Sequence, residues 1–135
     1  MEKKRILYLD NEIYNLHAFK AHFRLKSNYE IFLCQNESDG IKLLQKEKIH
    51  IVVMNQSNQE GYVIELIERI GKLDPDVLRI VVTGYCDTSI VDKALNEGSI
   101  YSYHTKPWDL DEVERSIESA FKLYKKYKNG DNSGN

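Results

Sequence analysis

Short apolar runs alternate along the chain with segments whose apolar residues recur at helical spacing. Five runs rich in Ile, Val and Tyr lack polar alternation, which is typical of strands covered on both faces; they are Ile6–Leu9, Ile31–Cys34, Ile49–Met54, Leu78–Val82 and Ile100–Tyr103. A helical series follows each run, and the clearest, after the fifth run, comprises Leu110, Val113, Ile117, Ala120, Phe121 and Tyr124. The pattern therefore predicts five β–α units.

Five such units in 135 residues predict an α/β fold, with a single five-stranded parallel sheet and helices on both of its faces. The flavodoxin-like strand order 2-1-3-4-5 is the natural one for a chain of this length. In such sheets the functional site lies beyond the carboxyl ends of the strands, next to the first strand. We therefore expect any chemistry to be concentrated at that edge.

Residues that favour helix ends refine these predictions. Asn36 and Asp109 are of the types that begin helices, and Gly71 and Gly98 stand where the third and fourth helices should end. Residues 128–135 are polar and lack apolar side chains, so we expect a disordered tail after a single domain over residues 1–127.

Composition excludes several classes of protein. Nineteen basic and 21 acidic side chains give a net charge of −2, so the chain has no overall positive field for nucleic acid or an anionic membrane. No apolar run approaches the roughly 20 residues that span a bilayer, and the apolar stretch near the start is too short for a signal peptide. A cytoplasmic location is therefore the expectation. Cys34 and Cys86 show no metal or redox spacing.

Polar residues stand at four of the predicted strand ends. The carboxylate of Asp10, the hydroxyl of Thr83 and the ammonium of Lys106 are expected to converge on one edge of the sheet, with the amides of Asn11 and Asn55 among them. Asp-Asn-Glu follows the first strand where a phosphate-binding loop would be rich in glycine.

The chain from about residue 5 to 127 resembles a receiver domain of two-component response regulators. The most specific matches are Val-Val-Thr-Gly-Tyr at 81–85, Ala-Leu-Asn-Glu-Gly at 94–98 and Thr-Lys-Pro-Trp-Asp at 105–109. Each motif is weak alone, but together, in this order along the predicted strands and helices, they are specific. The resemblance implies phosphoryl transfer from a histidine kinase to an aspartate after the third strand, beside a magnesium ion held by acidic residues.

The resemblance also assigns positions in this sequence. Asp10 and Asn11 match the acidic pair, Asn55 the phospho-acceptor, Thr83 and Lys106 the phosphoryl-binding positions, and Tyr103 the aromatic switch. Asn55 is a departure that matters, because a carboxamide is not the nucleophile that a carboxylate is. With amides at Asn11 and Asn55, and with magnesium preferring anionic oxygens, we expect magnesium binding to be weak or absent, no other cofactor and no catalytic residue.

The loop after Asn55 also differs from the pattern of the receiver family. The family usually has proline four and glycine eight residues after the acceptor, whereas this chain has Gln59 and an early Gly61. The loop is therefore two residues shorter by this comparison, which is expected to displace the backbone carbonyl of Ser57 that the resemblance assigns to the metal.

These features lead to a hypothesis with two alternatives. The chain is interpreted as a receiver-like binding module in phosphorelay signalling, not an enzyme, whose partner is a histidine kinase or an output protein. A homodimer through the fourth helix, fifth strand and fifth helix is also expected. One alternative is a conventional phosphorylated receiver compensated by Glu12 or Glu60. The other is a flavodoxin-like cofactor binder, which a yellow colour of the purified protein would reveal.

Overall fold

Strands and helices alternate in the computed structural model, which describes residues 2–56, 62–84, 89–105 and 109–133. The strands are β1 (Lys4–Leu9), β2 (Tyr29–Cys34), β3 (Ile51–Gln56), β4 (Leu78–Thr83) and β5 (Ser102–Thr105). The helices are α1 (Ile13–Phe23), α2 (Glu37–Lys46), α3 (Tyr62–Leu73), α4 (Ser89–Asn96) and α5 (Leu110–Ser133). The strands pair in parallel in the order β2-β1-β3-β4-β5. The predicted fold class and strand order are confirmed.

The sheet buries apolar side chains on both faces, because alternate residues of a strand point to opposite sides. Ile6 and Tyr8 of β1 lie in the cluster that packs against α1 and α5. Leu7 and Leu9 lie in the other cluster, which packs against α3 and α4 and is flanked by α2. Coverage of both faces explains why the strands read as continuous apolar runs in the sequence.

Three of the four predicted helix ends are confirmed. Asn36 caps α2, its side-chain oxygen accepting a hydrogen bond from the backbone N–H of Asp39 at 2.9 Å. Asp109 precedes α5 and accepts from the backbone N–H of Asp111 at 2.8 Å. Gly98 follows α4 with φ +77°, a left-handed conformation that favours glycine.

The prediction that Gly71 ends the third helix is wrong, because α3 continues to Leu73. Gly71 serves a different purpose, which depends on a residue of β4. A Cβ at residue 71 would lie only 2.4 Å from Nη1 of Arg79. The glycine therefore gives the Arg79 guanidinium room against the helix.

The longest helix, α5, extends past the predicted domain boundary. Residues 128–133 are helical, so the predicted disordered tail at 128–135 is corrected over that range, and the last two residues lie outside the described part of the chain. A helix that is already anchored extends readily, because each added residue gains a hydrogen bond. An ion pair also holds this part of α5, since Nζ of Lys128 lies 2.7 Å from Oδ2 of Asp76. No described helix, α5 included, is both long and apolar enough to cross a membrane.

Candidate functional site

The carboxyl ends of β1, β3 and β4 place three of the predicted site residues along one edge of the sheet. Leu9 pairs with Met54, so the residues that follow them, Asp10 and Asn55, stand level with each other. On β4, Thr83 stands level with the residue after Asn55. The backbone therefore brings these three positions together, as the sequence predicted.

The predicted site residues differ in their exposure. Asp10 and Thr83 are buried, at 2% and 1% exposed. Asn55 is half-buried at the end of β3, and Asn11 is exposed to solvent. Lys106 and the shortened loop lie outside the described residues, and so do Cys86 and Glu60.

Among the described residues, three groups donate hydrogen bonds to the carboxylate of Asp10. The Tyr8 hydroxyl donates to Oδ2 at 2.6 Å, and Nδ2 of Asn15 donates to the same oxygen at 2.9 Å. The backbone N–H of Glu12 donates to Oδ1 at 2.9 Å. Both carboxylate oxygens are thus engaged by neutral donors, which join the end of β1 to the first turn of α1.

Tyr8 is held in place from the other side by an aromatic contact. Its ring stacks on that of Phe19 in α1, with centroids 4.3 Å apart and planes 4° from parallel. Burial, aided by the hydrogen bond to Asp10 and by its charge, raises the pKa of the Tyr8 hydroxyl above its ordinary value. The hydroxyl therefore remains protonated and a donor near neutral pH.

Sequence analysis did not identify Tyr8 or Asn15 as residues of this site. A signal for Tyr8 was present, because residues two apart in a strand project from the same face, and Tyr8 precedes Asp10 by two. Asn15 lies in the first turn of α1, from which its amide reaches back to the residue that follows β1. Neither position belongs to the motifs on which the resemblance was based.

Tyr103, the predicted switch aromatic, lies on β5 and is half-buried. Its hydroxyl donates a hydrogen bond to the Asp92 carboxylate of α4, and its ring packs beside the cluster under α3 and α4. The next residue, His104, joins β5 to α5 through a 2.8 Å hydrogen bond between Nε2 and Oγ of Ser116. β5 is thus tied to both of the helices that flank it.

A group of side chains that sequence analysis did not bring together joins α1 to α5. His22, Asp111 and Glu114 offer potential metal ligands within 4.8 Å of one another. Nζ of Lys26, however, lies 3.1 Å from Oε1 of Glu114, which is also 2.8 Å from Nε2 of His22. Burial acts to raise the pKa of Glu114, but the hydrogen bonds from His22 and Lys26 outweigh burial and hold that pKa below its ordinary value. The group therefore links α1 and the residues that follow it to α5 through a hydrogen bond from His22 and an ion pair from Lys26.

Comparison with known proteins agrees with this arrangement. The family model of the response regulator receiver domain matches residues 6–118. The hydrogenase transcriptional regulatory protein HoxA of Bradyrhizobium diazoefficiens is 30% identical over 129 residues, which are 96% of this chain and 26% of HoxA. The chain therefore spans about a quarter of the length of that relative.

Solved structures share the fold. A CheY-like response regulator receiver domain protein from Methanospirillum hungatei is 23% identical, with a TM-score of 0.74 over 90% of this chain and 99% of that one. The beryllofluoride-activated NtrC4 receiver domain dimer is 23% identical, with a TM-score of 0.79 over 90% of this chain and 98% of that one. The match to the receiver family model does not favour the alternative of a cofactor binder. The match over residues 6–118, together with the parallel five-stranded sheet, places the chain in the family of response regulator receiver domains of two-component signalling.

Proposed function

We propose that this receiver domain acts by binding other proteins, without phosphorylation at Asn55, and that it is not an enzyme. The observation that carries the proposal is the neutral carboxamide of Asn55 at the carboxyl end of β3, level with Asp10. Acyl-phosphate formation needs a carboxylate nucleophile, which an amide does not supply.

The chemistry of the neighbouring donors supports this proposal. Of the three positions that the resemblance assigns to a magnesium ion, Asp10 alone carries a carboxylate, and both of its oxygens already accept hydrogen bonds. Asn11 and Asn55 offer neutral amide oxygens, whereas magnesium is a hard cation that prefers anionic ligands. The donor set does not fit a magnesium site, and we propose that the domain needs no cofactor.

Receiver domains interact with histidine kinases and output domains, and we place the contact of this one at α4, β5 and α5. A groove of about 380 Å³ lies beside this surface, between the start of β4, the segment that joins α4 to β5, and α5. Its lining residues are Pro75, Leu78, Arg79, Leu95, Gly98, Ile100, Tyr101, Leu123 and Tyr127. Leu95 and Tyr127 are 39% and 62% exposed, so apolar area faces solvent at this surface. The proposed occupants are a kinase or output protein and, in the isolated domain, a second copy paired by twofold symmetry.

Self-association should be visible by sedimentation velocity. The wild-type domain is expected to dimerise at high protein concentration, and Tyr127→Lys to weaken the dimer by about ten-fold or more, because a charge then replaces an aromatic contact. The matched control is Tyr14→Lys on α1, where the tyrosine is 81% exposed but lies away from the groove. A wild-type domain that sediments as a clean monomer at high concentration would contradict the dimer.

Phosphorylation is tested by intact-mass spectrometry after incubation with acetyl phosphate and magnesium chloride. The wild type is expected to show no gain of about 80 Da, the mass of one phosphoryl group, because the nucleophile is absent. Asn55→Asp is expected to react slowly at best, since a cation that offsets charge in the transition state is still poorly held. The double variant Asn11→Asp/Asn55→Asp is expected to gain partial, magnesium-dependent labelling.

Asn36→Asp provides the matched control for these variants. It adds a carboxylate at an exposed asparagine that caps α2, where aspartate caps equally well. No labelling is expected, so any mass gain seen only in the double variant is due to the site. Labelling of the wild type within residues 10–106 would overturn the proposal in favour of a compensated, conventional receiver.

A further inference from the structure

We propose that Tyr8 and Asn15 commit Asp10 to anchoring α1 on β1. The one carboxylate among the three positions assigned to a magnesium ion is then withheld from divalent cations. This inference rests on the proposed function, since it concerns the same edge of the sheet. It adds to that proposal that the two amides, Asn11 and Asn55, are not the only barrier to a cation.

The first argument is the number of donors around Asp10. An ionised carboxylate offers about four lone-pair positions, and Tyr8, Asn15 and the backbone of Glu12 occupy three of them within 2.9 Å. Two of these donors share Oδ2, so a cation approaching that oxygen must displace one of them. Hydrogen bonds to a charged acceptor are stronger than those between neutral groups, which makes the displacement unfavourable.

The second argument is that Tyr8 is not free to swing away. Its ring is buried in the cluster under α1 and α5 and stacks on Phe19. Moving the hydroxyl off Asp10 would leave a buried O–H without its partner, and burial of an unsatisfied polar group is costly. The aromatic packing therefore holds the hydroxyl on the carboxylate.

The third argument is the position of the network at the start of α1. The first N–H groups of a helix have no partner within the helix. Asp10 Oδ1 accepts from the N–H of Glu12, the residue that precedes α1, and the Glu12 carbonyl accepts from the N–H of Leu16 at 3.2 Å. With the side chain of Asn15 also bound to Asp10, the carboxylate serves as the link between strand and helix.

The test compares the magnesium affinity of two variants by isothermal titration calorimetry with magnesium chloride. In the Asn11→Asp/Asn55→Asp background, adding Tyr8→Phe is expected to tighten binding on the order of ten-fold, because the phenylalanine keeps the ring and removes the competing donor. The matched control is Tyr29→Phe in the same background. Its hydroxyl also donates to a carboxylate, that of Glu118 on α5, so its loss should leave the affinity unchanged.

A second measurement tests the anchoring without any metal. In chelator-treated buffer, Tyr8→Phe is expected to lower the Tm of the wild type by about 4 °C or more. In the Asp10→Ala background the same change should have at most half that effect, because its partner is gone. Asn15→Ala, in the same cycle with Asp10→Ala, gives a second readout if a Tyr8 variant folds poorly.

The outcomes separate this inference from the proposed function. Equal magnesium affinity with and without the Tyr8 hydroxyl, or equal Tm losses with and without Asp10, would overturn the inference. Labelling of the wild type by acetyl phosphate would overturn the proposed function and leave the Tyr8 comparison standing, because that comparison uses binding and not phosphorylation as its readout.

Discussion

Replacing Phe19 by alanine is expected to lower the free energy of unfolding by about 3–5 kcal/mol, which is a large share of the stability of a domain of this size. The Phe19 ring is 1% exposed, stacks on Tyr8 and lies 4.9 Å from the Phe23 ring. Its loss leaves a cavity between α1 and the sheet. It also removes the contact that positions the Tyr8 hydroxyl on Asp10. Urea denaturation followed by circular dichroism measures the change.

Two control substitutions define what this result means. Phe19→Leu keeps much of the buried volume and is expected to cost clearly less than the alanine variant. Tyr14→Ala removes an aromatic side chain from the same helix, but at an exposed position where changes stay within about 0.5 kcal/mol. A loss below about 1 kcal/mol for Phe19→Ala would show that α1 does not pack on β1 as described.

Acidification below pH 6.5 is expected to destabilise the domain through His50, which is fully buried. Nδ1 of His50 accepts a hydrogen bond from the backbone N–H of Arg5 at 3.0 Å, so the neutral ring carries its proton on Nε2 and donates to Glu2 Oε2 at 3.1 Å. Burial lowers the pKa of His50 below its ordinary value, and the positive charges of Lys48 and Arg5 lower it further. The Glu2 carboxylate acts in the opposite direction but does not outweigh them.

The sign follows from proton counts in the two states. Unfolded His50 takes up its proton near pH 6.5, whereas the folded residue does so only at lower pH. Between those values the unfolded state binds more protons. The contribution of His50 to stability is therefore complete above pH 6.5 and is lost as the pH falls, by at most about 1.4 kcal/mol per pH unit.

Urea denaturation at a series of pH values from 7.5 to 5 tests this expectation, with the range chosen around the ordinary histidine pKa. His50→Asn keeps an acceptor for the Arg5 N–H and does not titrate, so its stability should fall less steeply than that of the wild type. Burial also lowers the pKa of His104, so His50→Asn should keep part of the slope and the double variant with His104→Asn should lose more of it. Identical slopes for wild type and His50→Asn would rule out His50 as the source.

The sequence predicted the order of the sheet better than the ends of its strands. Continuous apolar runs mark burial on both faces, and burial does not coincide with strand pairing. Ile100 is buried and was predicted to begin the fifth strand, yet β5 begins at Ser102. Ile49 was likewise placed in the third strand, although β3 begins at Ile51 and Ile49 packs just before it. Apolar residues that lead into a strand are as hydrophobic as those within it.

In the candidate site, too, the sequence predicted the positions of residues better than their side-chain contacts. The edge that Asp10, Asn55 and Thr83 share follows from strand order and needs no side-chain detail. The two-residue spacing puts Tyr8 on the same face of β1 as Asp10, but it does not show that the two side chains bond, and Asn15 has no such signal. The choice of partner depends on how far a side chain reaches in three dimensions. Gly71 is a second case, since its role depends on Arg79, a residue of a different element. Pairs that meet only after folding leave no periodic signal in one sequence.

β1 has a different polar network at each end: the Asp10 carboxylate beyond its carboxyl end and the Arg5 backbone with His50 near its amino end. At about 3.3 Å per residue, Arg5 and Asp10 lie about 17 Å apart along the strand. Substitutions at such a separation usually add within about 0.5 kcal/mol. The two networks can therefore be changed independently by protein engineering. Stability in acid can be adjusted at His50, near the amino end of β1, while a cation site is built around Asp10, beyond its carboxyl end.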